Sequence, residues 1–287
     1  MIYGDNSRGT AIMSRNYINS LNLTRRATSY LQDVTKLLEN YLHDRLISII
    51  IFGSLIKGYA TEESDADILI VLSDDCSKRE IQHLHQIINA YEVKYKYLVP
   101  PKGVISHILY SVDKSTGMFI SHFISRKKDF LKGNFAKTFQ VNKLLAMILA
   151  PNQIVYGSVL CRAKIVYGAN ILEEAKIPNV PVTQLLKSIL MNAVTSFFAL
   201  FVYPLTKRAT LYQMETAKWS LLAAYYYLKH DSPALPVLLK FFLDRNITSN
   251  YIKEWVQLRN SYHQNPKFGL LTPLNIFRIH LGVLKTR

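Results

Sequence analysis

Residues 49–72 read IIIFGSLIKGYATEESDADILIVL, and no other stretch of the chain limits its fold so narrowly. Two runs, 46–52 and 66–72, are apolar throughout and rich in β-branched side chains, as central strands buried on both faces are. Gly53 ends the first run. A polar segment over 54–64 follows, and Ser73-Asp74-Asp75 breaks the chain after the second. An amphipathic helix over 27–43, with Tyr30, Leu31, Val34, Leu37, Leu38, Tyr41 and Leu42 at steps of three and four, leads into this unit, and a second over 78–91 leaves it.

Asp65 and Asp67 stand two residues apart at the head of the second strand, where alternate side chains point to one face. Two carboxylates in one space repel unless a basic group or bound cations stabilise them. Oxygen-only ligands select Mg²⁺ or Mn²⁺. Two such ions about 3.5–4 Å apart clamp the attacking and leaving oxygens of an in-line phosphoryl or nucleotidyl displacement. Gly53 lets the backbone approach a ligand closely, and Ser54 can cap a helix whose free N–H groups attract phosphate.

The order Gly53-Ser54, Lys57-Gly58 and Ser64-Asp65-x-Asp67 between apolar strands resembles the signature of the polymerase β nucleotidyltransferase superfamily. It is most similar to the minimal and antibiotic-modifying branches. The resemblance implies an α+β fold: a polymerase β palm-like mixed sheet with helices, followed by an all-α helical bundle. It implies Mg²⁺-dependent (or Mn²⁺-dependent) transfer of a nucleoside monophosphate from an NTP, ATP first among them, with release of pyrophosphate. Asp65 and Asp67 match the metal-binding pair, Gly53 and Ser54 the phosphate-contacting turn, and Ser64 the residue before the acids. Lys57 stands where relatives often carry Arg, as a contact to the triphosphate.

That superfamily usually adds a third carboxylate from a later strand, expected here at 118–124, MFISHFI. The segment holds Ser121 and His122 but no acid. If strand alternation brings it to the site, His122 could act as a base near neutral pH. Glu92, Asp113 and Asp129 are the other acids in reach along the chain, and a site without a third ligand would bind nucleotide without efficient transfer. Arg126-Lys127-Lys128 directly follows this strand and could face a triphosphate or an acidic partner.

Elsewhere 93–99 reads as a half-exposed strand, 104–112 and 118–124 as a hairpin, 139–150 as a helix, and 153–168 as a short strand pair. Beyond Pro178–Pro181 the pattern is helical, with helices expected over 182–203, 210–229, 234–244, 249–262 and 272–284. Three segments follow: a flexible tail over 1–24, a nucleotidyltransferase domain over 25–177 and a helical bundle over 178–287. Within the bundle, Arg259 and His263 are four apart on one expected helical face. The most membrane-like stretch, AVTSFFALFVY at 193–203, is interrupted upstream by Gln184, Lys187, Ser188 and Asn192, so a buried bundle helix is expected and no membrane span.

Thirty-five Lys and Arg against 20 Asp and Glu give a net charge of +15, a field that favours anions. Charge alone is the support for a nucleic-acid acceptor, whereas the lack of a recognisable nucleic-acid module favours a small molecule or a protein side chain. Cys76 and Cys161 lack metal-type spacing and a disulfide framework, which fits the reducing cytoplasm.

Overall fold

The computed structural model describes residues 15–21, 23–56, 66–117, 119–176 and 179–286. The helices and strands run in the order α1 (Arg15–Ser20), α2 (Arg25–Leu42), β1 (Leu46–Ile51), β2 (Ile68–Leu72), α3 (Lys78–Lys94), α4 (Val104–Thr116), β3 (His122–Arg126), α5 (Lys127–Leu131), α6 (Phe135–Thr138), α7 (Lys143–Ile148), α8 (Asn152–Leu160), β4 (Lys164–Gly168), α9 (Val182–Phe201), α10 (Ala209–Lys229), α11 (Leu235–Asp244), α12 (Ser249–Asn260) and α13 (Pro266–Leu284). They group into two compact units. One comprises the described part of Met1–Pro101 with Tyr110–Asn142 and Arg162–Lys176, the other Lys102–Leu109, Lys143–Cys161 and the described part of Ile177–Arg287.

The first unit is built on a four-stranded mixed sheet in the order β3-β2-β1-β4, so the α+β class holds. β1 pairs antiparallel with β2 and β4, and β3 runs parallel to β2. Alternate residues of β1 and β2, among them Ile49, Ile51, Ile68 and Ile70, turn to one face, where α2 and α3 cover them with Leu31, Val34, Leu38, Leu84 and Ile88. The ends of both helices are fixed locally. Thr24 accepts from the Ala27 amide, and Ser77 and Glu80 form a reciprocal capping box at the start of α3. The opposite face carries aromatic packing, Phe52 against Phe123 and Phe123 edge-on to Phe139.

Several elements differ from the sequence expectation. Residues 93–99 form no strand: α3 runs on to Lys94, and the chain then turns with Lys96 in the left-handed region at φ 60°. Segment 104–112 is the helix α4, so the expected hairpin is replaced by a helix leading to a parallel strand. The helix expected over 139–150 is confined to α7, and of the strand pair expected over 153–168 the first half is α8 while only β4 is extended. Part of the expected tail is ordered: α1 places Ile18 in the core of the first unit at 2% exposure, while residues 1–14 lie outside the described part.

In the second unit α9, α10 and α13 pack against one another, with α8, α11 and α12 on α10 or beside it. α10 is buried on nearly every side. Trp255 donates from Nε1 to the Met214 carbonyl at 2.9 Å, tying α12 to α10, and Tyr251 stacks on Phe268, tying α12 to α13. α13 begins at Pro266, whose fixed φ suits a first turn and whose missing N–H costs nothing there; Asn265 caps it by accepting from the Phe268 amide. Residues 266–271, left outside the helix expected over 272–284, are therefore its opening turns. α12 ends at Asn260, and His263 lies beyond it with Nδ1 beside the Ser261 carbonyl, so Arg259 and His263 share no helical face. α9 is long and apolar enough to cross a membrane by length and composition. Its inner face nevertheless buries Gln184, Ser188, Asn192 and Ser196, and Ser196 is paired with Gln213 of α10.

Candidate active site

Asp67 is held by backbone from both sides. The Phe52 amide donates to the Asp67 carbonyl at 3.1 Å, and the next amide, Ile68, donates to the Ser121 carbonyl at 2.8 Å. The residue before β2 is thereby clamped between the end of β1 and the approach to β3, at the edge of a core of fully buried isoleucines. Asp67 as a whole is half-buried.

Gly53 is shaped to this carboxylate. Its φ is +72°, in the left-handed region, and a Cβ built on it would lie 1.9 Å from Asp67 Oδ2 and 2.9 Å from Cγ. Only glycine both adopts that backbone without strain and lets the acid lie directly over it. Ser54 follows in the same turn, half-buried, and Leu55 then turns inward at 5% exposure to join the core of the first unit. The turn over 53–56 is therefore anchored at both ends, by Phe52 and by Leu55. Lys57, Ser64 and Asp65 lie outside the described residues. The helix that Ser54 was expected to open is a turn as far as residue 56.

His122 does not share this space. It pairs in register with Ile68, and residues paired across parallel strands project to the same side. Ile68 faces α2 and α3, so His122 faces them too, and Asp67, one residue earlier, faces the other way. The ring is engaged at both nitrogens: Nδ1 with Glu92 Oε1 at 2.8 Å, and Nε2 with His85 Nδ1 at 2.7 Å. His122 and Glu92 have side chains only 5% and 4% exposed. Burial, and after it the neighbouring His122, push the His85 imidazole down to about 3. His85 is thus neutral, and one hydrogen-bonded chain runs from β3 along α3. The expectation that His122 stands beside the aspartates as a base fails on strand parity. The sequence signal that reveals its real setting is the seven-residue spacing of His85 and Glu92, two helical turns on one face.

On β3 the side of Asp67 carries Phe123 and Ser125. Asp129 is buried beside Lys137, with Nζ to Oδ1 at 3.1 Å. The basic run after β3 is engaged within the first unit: Arg126 Nε donates to the Cys76 carbonyl, Lys127 pairs with Glu174, and the Lys128 amide donates to Asp74. Among the described residues, no three His, Cys, Asp or Glu side chains converge as metal ligands.

Residues 34–134 match the family described as a nucleotidyltransferase domain. A Methanocaldococcus jannaschii protein, provisionally named a protein adenylyltransferase, is 34% identical over 71 residues, which span 25% of this chain and 72% of that one. A spectinomycin adenyltransferase from Enterococcus faecialis, solved with ATP and spectinomycin, shares the fold at a TM-score of 0.54 and 13% identity. The likeness covers 89% of this chain and 98% of that one.

Proposed function

Since the chain belongs to the nucleotidyltransferase domain family, we propose that it transfers a nucleoside monophosphate, AMP first among them, from an NTP to a hydroxyl of a small molecule or a protein side chain. The acceptor oxygen bonds to the α-phosphorus, the bond from that phosphorus to the bridging oxygen breaks, pyrophosphate leaves, and the hydroxyl proton passes to solvent or a base. One observation supports this reading above the others. Asp67, whose backbone is tied to Phe52 and flanked by the tie to Ser121, lays its carboxylate over a left-handed glycine that leaves no room for a side chain beneath it.

Asp67, with Asp65 two residues earlier, is an oxygen-only donor set and fits Mg²⁺ or Mn²⁺. When bound, the ion offsets the charge of the triphosphate and of its departing pyrophosphate. The chain's own contributions are positional. Gly53 admits a phosphate close to the backbone, Ser54 and Ser64 offer hydroxyl donors, and Lys57 adds a point charge toward the triphosphate. The cytoplasmic setting belongs to the same proposal and is compatible with Cys76 and Cys161, which are both free thiols.

A second reading, nucleotide binding without transfer, draws support from β3, which turns Phe123 and Ser125 rather than an acid toward the side of Asp67. Titration with each NTP, with and without Mg²⁺, combined with a pyrophosphate assay, separates the two. The transferase reading expects metal-dependent binding and pyrophosphate release, both lost in Asp65→Asn and Asp67→Asn. Binding that persists with no turnover over a panel of hydroxyl acceptors would leave only the second.

A further inference from the structure

The outer face of α9 carries no charge along its whole length. Val182, Leu186, Leu190, Val194, Phe197 and Phe201 recur at steps of three and four and are 44–78% exposed. The one charged residue of the helix, Lys187, is drawn aside to the Met147 carbonyl at 2.6 Å. α13 repeats the pattern with Leu270, Leu274, Phe277 and Leu281, 44–67% exposed. An exposed apolar face of this length ordinarily marks a surface that a partner covers. α9 is covered on its inner side by α10 and α13, and its outer side faces solvent.

Two contacts fix how the stripes lie. Ser188 Oγ and His280 Nε2 are 3.0 Å apart, and Leu200 lies beside Gly269. The two helices are therefore antiparallel, with Leu190 level with Phe277, Val194 with Leu274 and Phe197 with Leu270. Arg278 and Lys285 line a shallow pocket with Asn246, Ile247 and the stripe residue Leu281, at the C-terminal end of the α13 stripe.

We propose that this two-helix face docks a second copy of the chain, two antiparallel pairs closing into a four-helix seam about a two-fold axis. At about 90 Å² per half-exposed side chain, the two stripes present on the order of 900 Å² per copy. That exceeds the roughly 300–600 Å² of the largest patch on a typical monomer and matches the about 800 Å² per partner of a standard interface. The chemistry selects a protein face over a lipid surface. The stripes hold no Trp or Tyr, the residues of the membrane–water interface, and the one lysine of α9 is turned to the Met147 carbonyl. A two-fold pairing is self-complementary, because each copy brings the same uncharged face.

The net charge of +15 sets the sign of the salt dependence. Like-charged copies repel and salt screens the repulsion, so dimerisation strengthens with salt, whereas a basic protein on an anionic membrane is released by it. Sedimentation equilibrium of the full chain over a wide concentration range should give twice the protomer mass of 33.0 kDa, more completely at high salt. Leu190→Glu with Leu274→Glu should yield a monomer with unchanged helical circular dichroism. If that variant fails to fold, Phe201→Ser, at the exposed end of α9, should weaken association at least tenfold. A wild-type protein that stays monomeric throughout would overturn the proposal. So would a dimer that survives the folded variants, or a monomer that floats with phosphatidylglycerol vesicles.

Discussion

Replacing Gly53 with alanine separates backbone strain from the packing of the candidate site. Alanine at φ +72° costs about 1–2 kcal/mol on its own. The new Cβ would also meet Asp67 Oδ2 at 1.9 Å and Cγ at 2.9 Å, so either the carboxylate leaves its place or β1 and β2 move apart. Overpacking of this kind adds about 1–3 kcal/mol. The expected total is a loss of about 2–5 kcal/mol, read by urea denaturation with far-ultraviolet circular dichroism. Displacement of a reacting group by about 1 Å costs on the order of 100-fold in rate, so pyrophosphate release should fall at least that far. Gly103→Ala is the control: φ is +81° there, yet nothing lies within 4 Å of the added methyl group. It should pay the backbone cost alone and keep full activity. A double-mutant cycle sharpens the test, because Asp67→Ala removes the two nearest atoms and leaves Cβ, at 3.2 Å, as the nearest. Gly53→Ala should therefore cost markedly less in the Asp67→Ala background. Equal losses for Gly53→Ala and Gly103→Ala, or additivity in the cycle, would refute the packing of Asp67 on Gly53.

Three further outcomes are expected. Ser77→Ala removes the acceptor for the Glu80 amide at the start of α3 and should cost about 1 kcal/mol in the thermal or urea transition of the first unit. His280 is buried in the bundle; Nδ1 donates to the Ile276 carbonyl, Nε2 accepts from the Ser188 hydroxyl, and burial pushes the ring down to about 4. Its folded value lies below the ordinary 6.5, so the unfolded chain takes up a proton that the folded one lacks. Stability is full above about pH 6.5 and falls by up to about 3 kcal/mol as pH drops toward 4. Both tryptophans, Trp219 and Trp255, lie in the second unit, so their fluorescence in urea at pH 7 and pH 4.5 reports this dependence, and His280→Gln should shrink it. His122→Leu leaves the buried Glu92 without its 2.8 Å partner and should cost about 1–3 kcal/mol, while the pH profile of transfer by the folded fraction stays unchanged. Lost turnover at full stability would place His122 in the chemistry after all.

What the sequence made legible follows from which forces act locally. Four of the five bundle helices were readable to within two residues because their apolar stripes and caps are short-range signals, Val182–Phe201 against an expected 182–203 and Ser249–Asn260 against 249–262 among them, whereas α13 starts at Pro266, six residues before the expected 272. β1 and β2 were readable because a fully buried strand needs an unbroken apolar run. The failures are segments where β-branched content competed with period. In VISHILYSV, Ile105, Ile108, Leu109 and Val112 keep the three-and-four spacing of a helix, yet the residue types favour strand, and α4 forms. QIVYGSVL likewise becomes α8, where Ile154 and Tyr156 are buried in the second unit.

The candidate site shows a sharper limit, one of parity. Asp67 and Gly53 could be paired from the sequence because they close one short connection between neighbouring strands. His122 could be placed on a strand but not on a face, since the face depends on register with β2, and a slip of one residue inverts it. Ile68 opposite His122 fixes that register: it sends the imidazole to Glu92 and His85, and leaves Phe123 and Ser125 on the side of the acid. A buried carboxylate and two rings in hydrogen-bonded contact then hold the start of β3 against α3. The Ser121 carbonyl, one residue before His122, is the acceptor that fixes the amide following Asp67. The histidine read as a base thus belongs to the scaffold, and it bears on the aspartate through the backbone rather than through its proton.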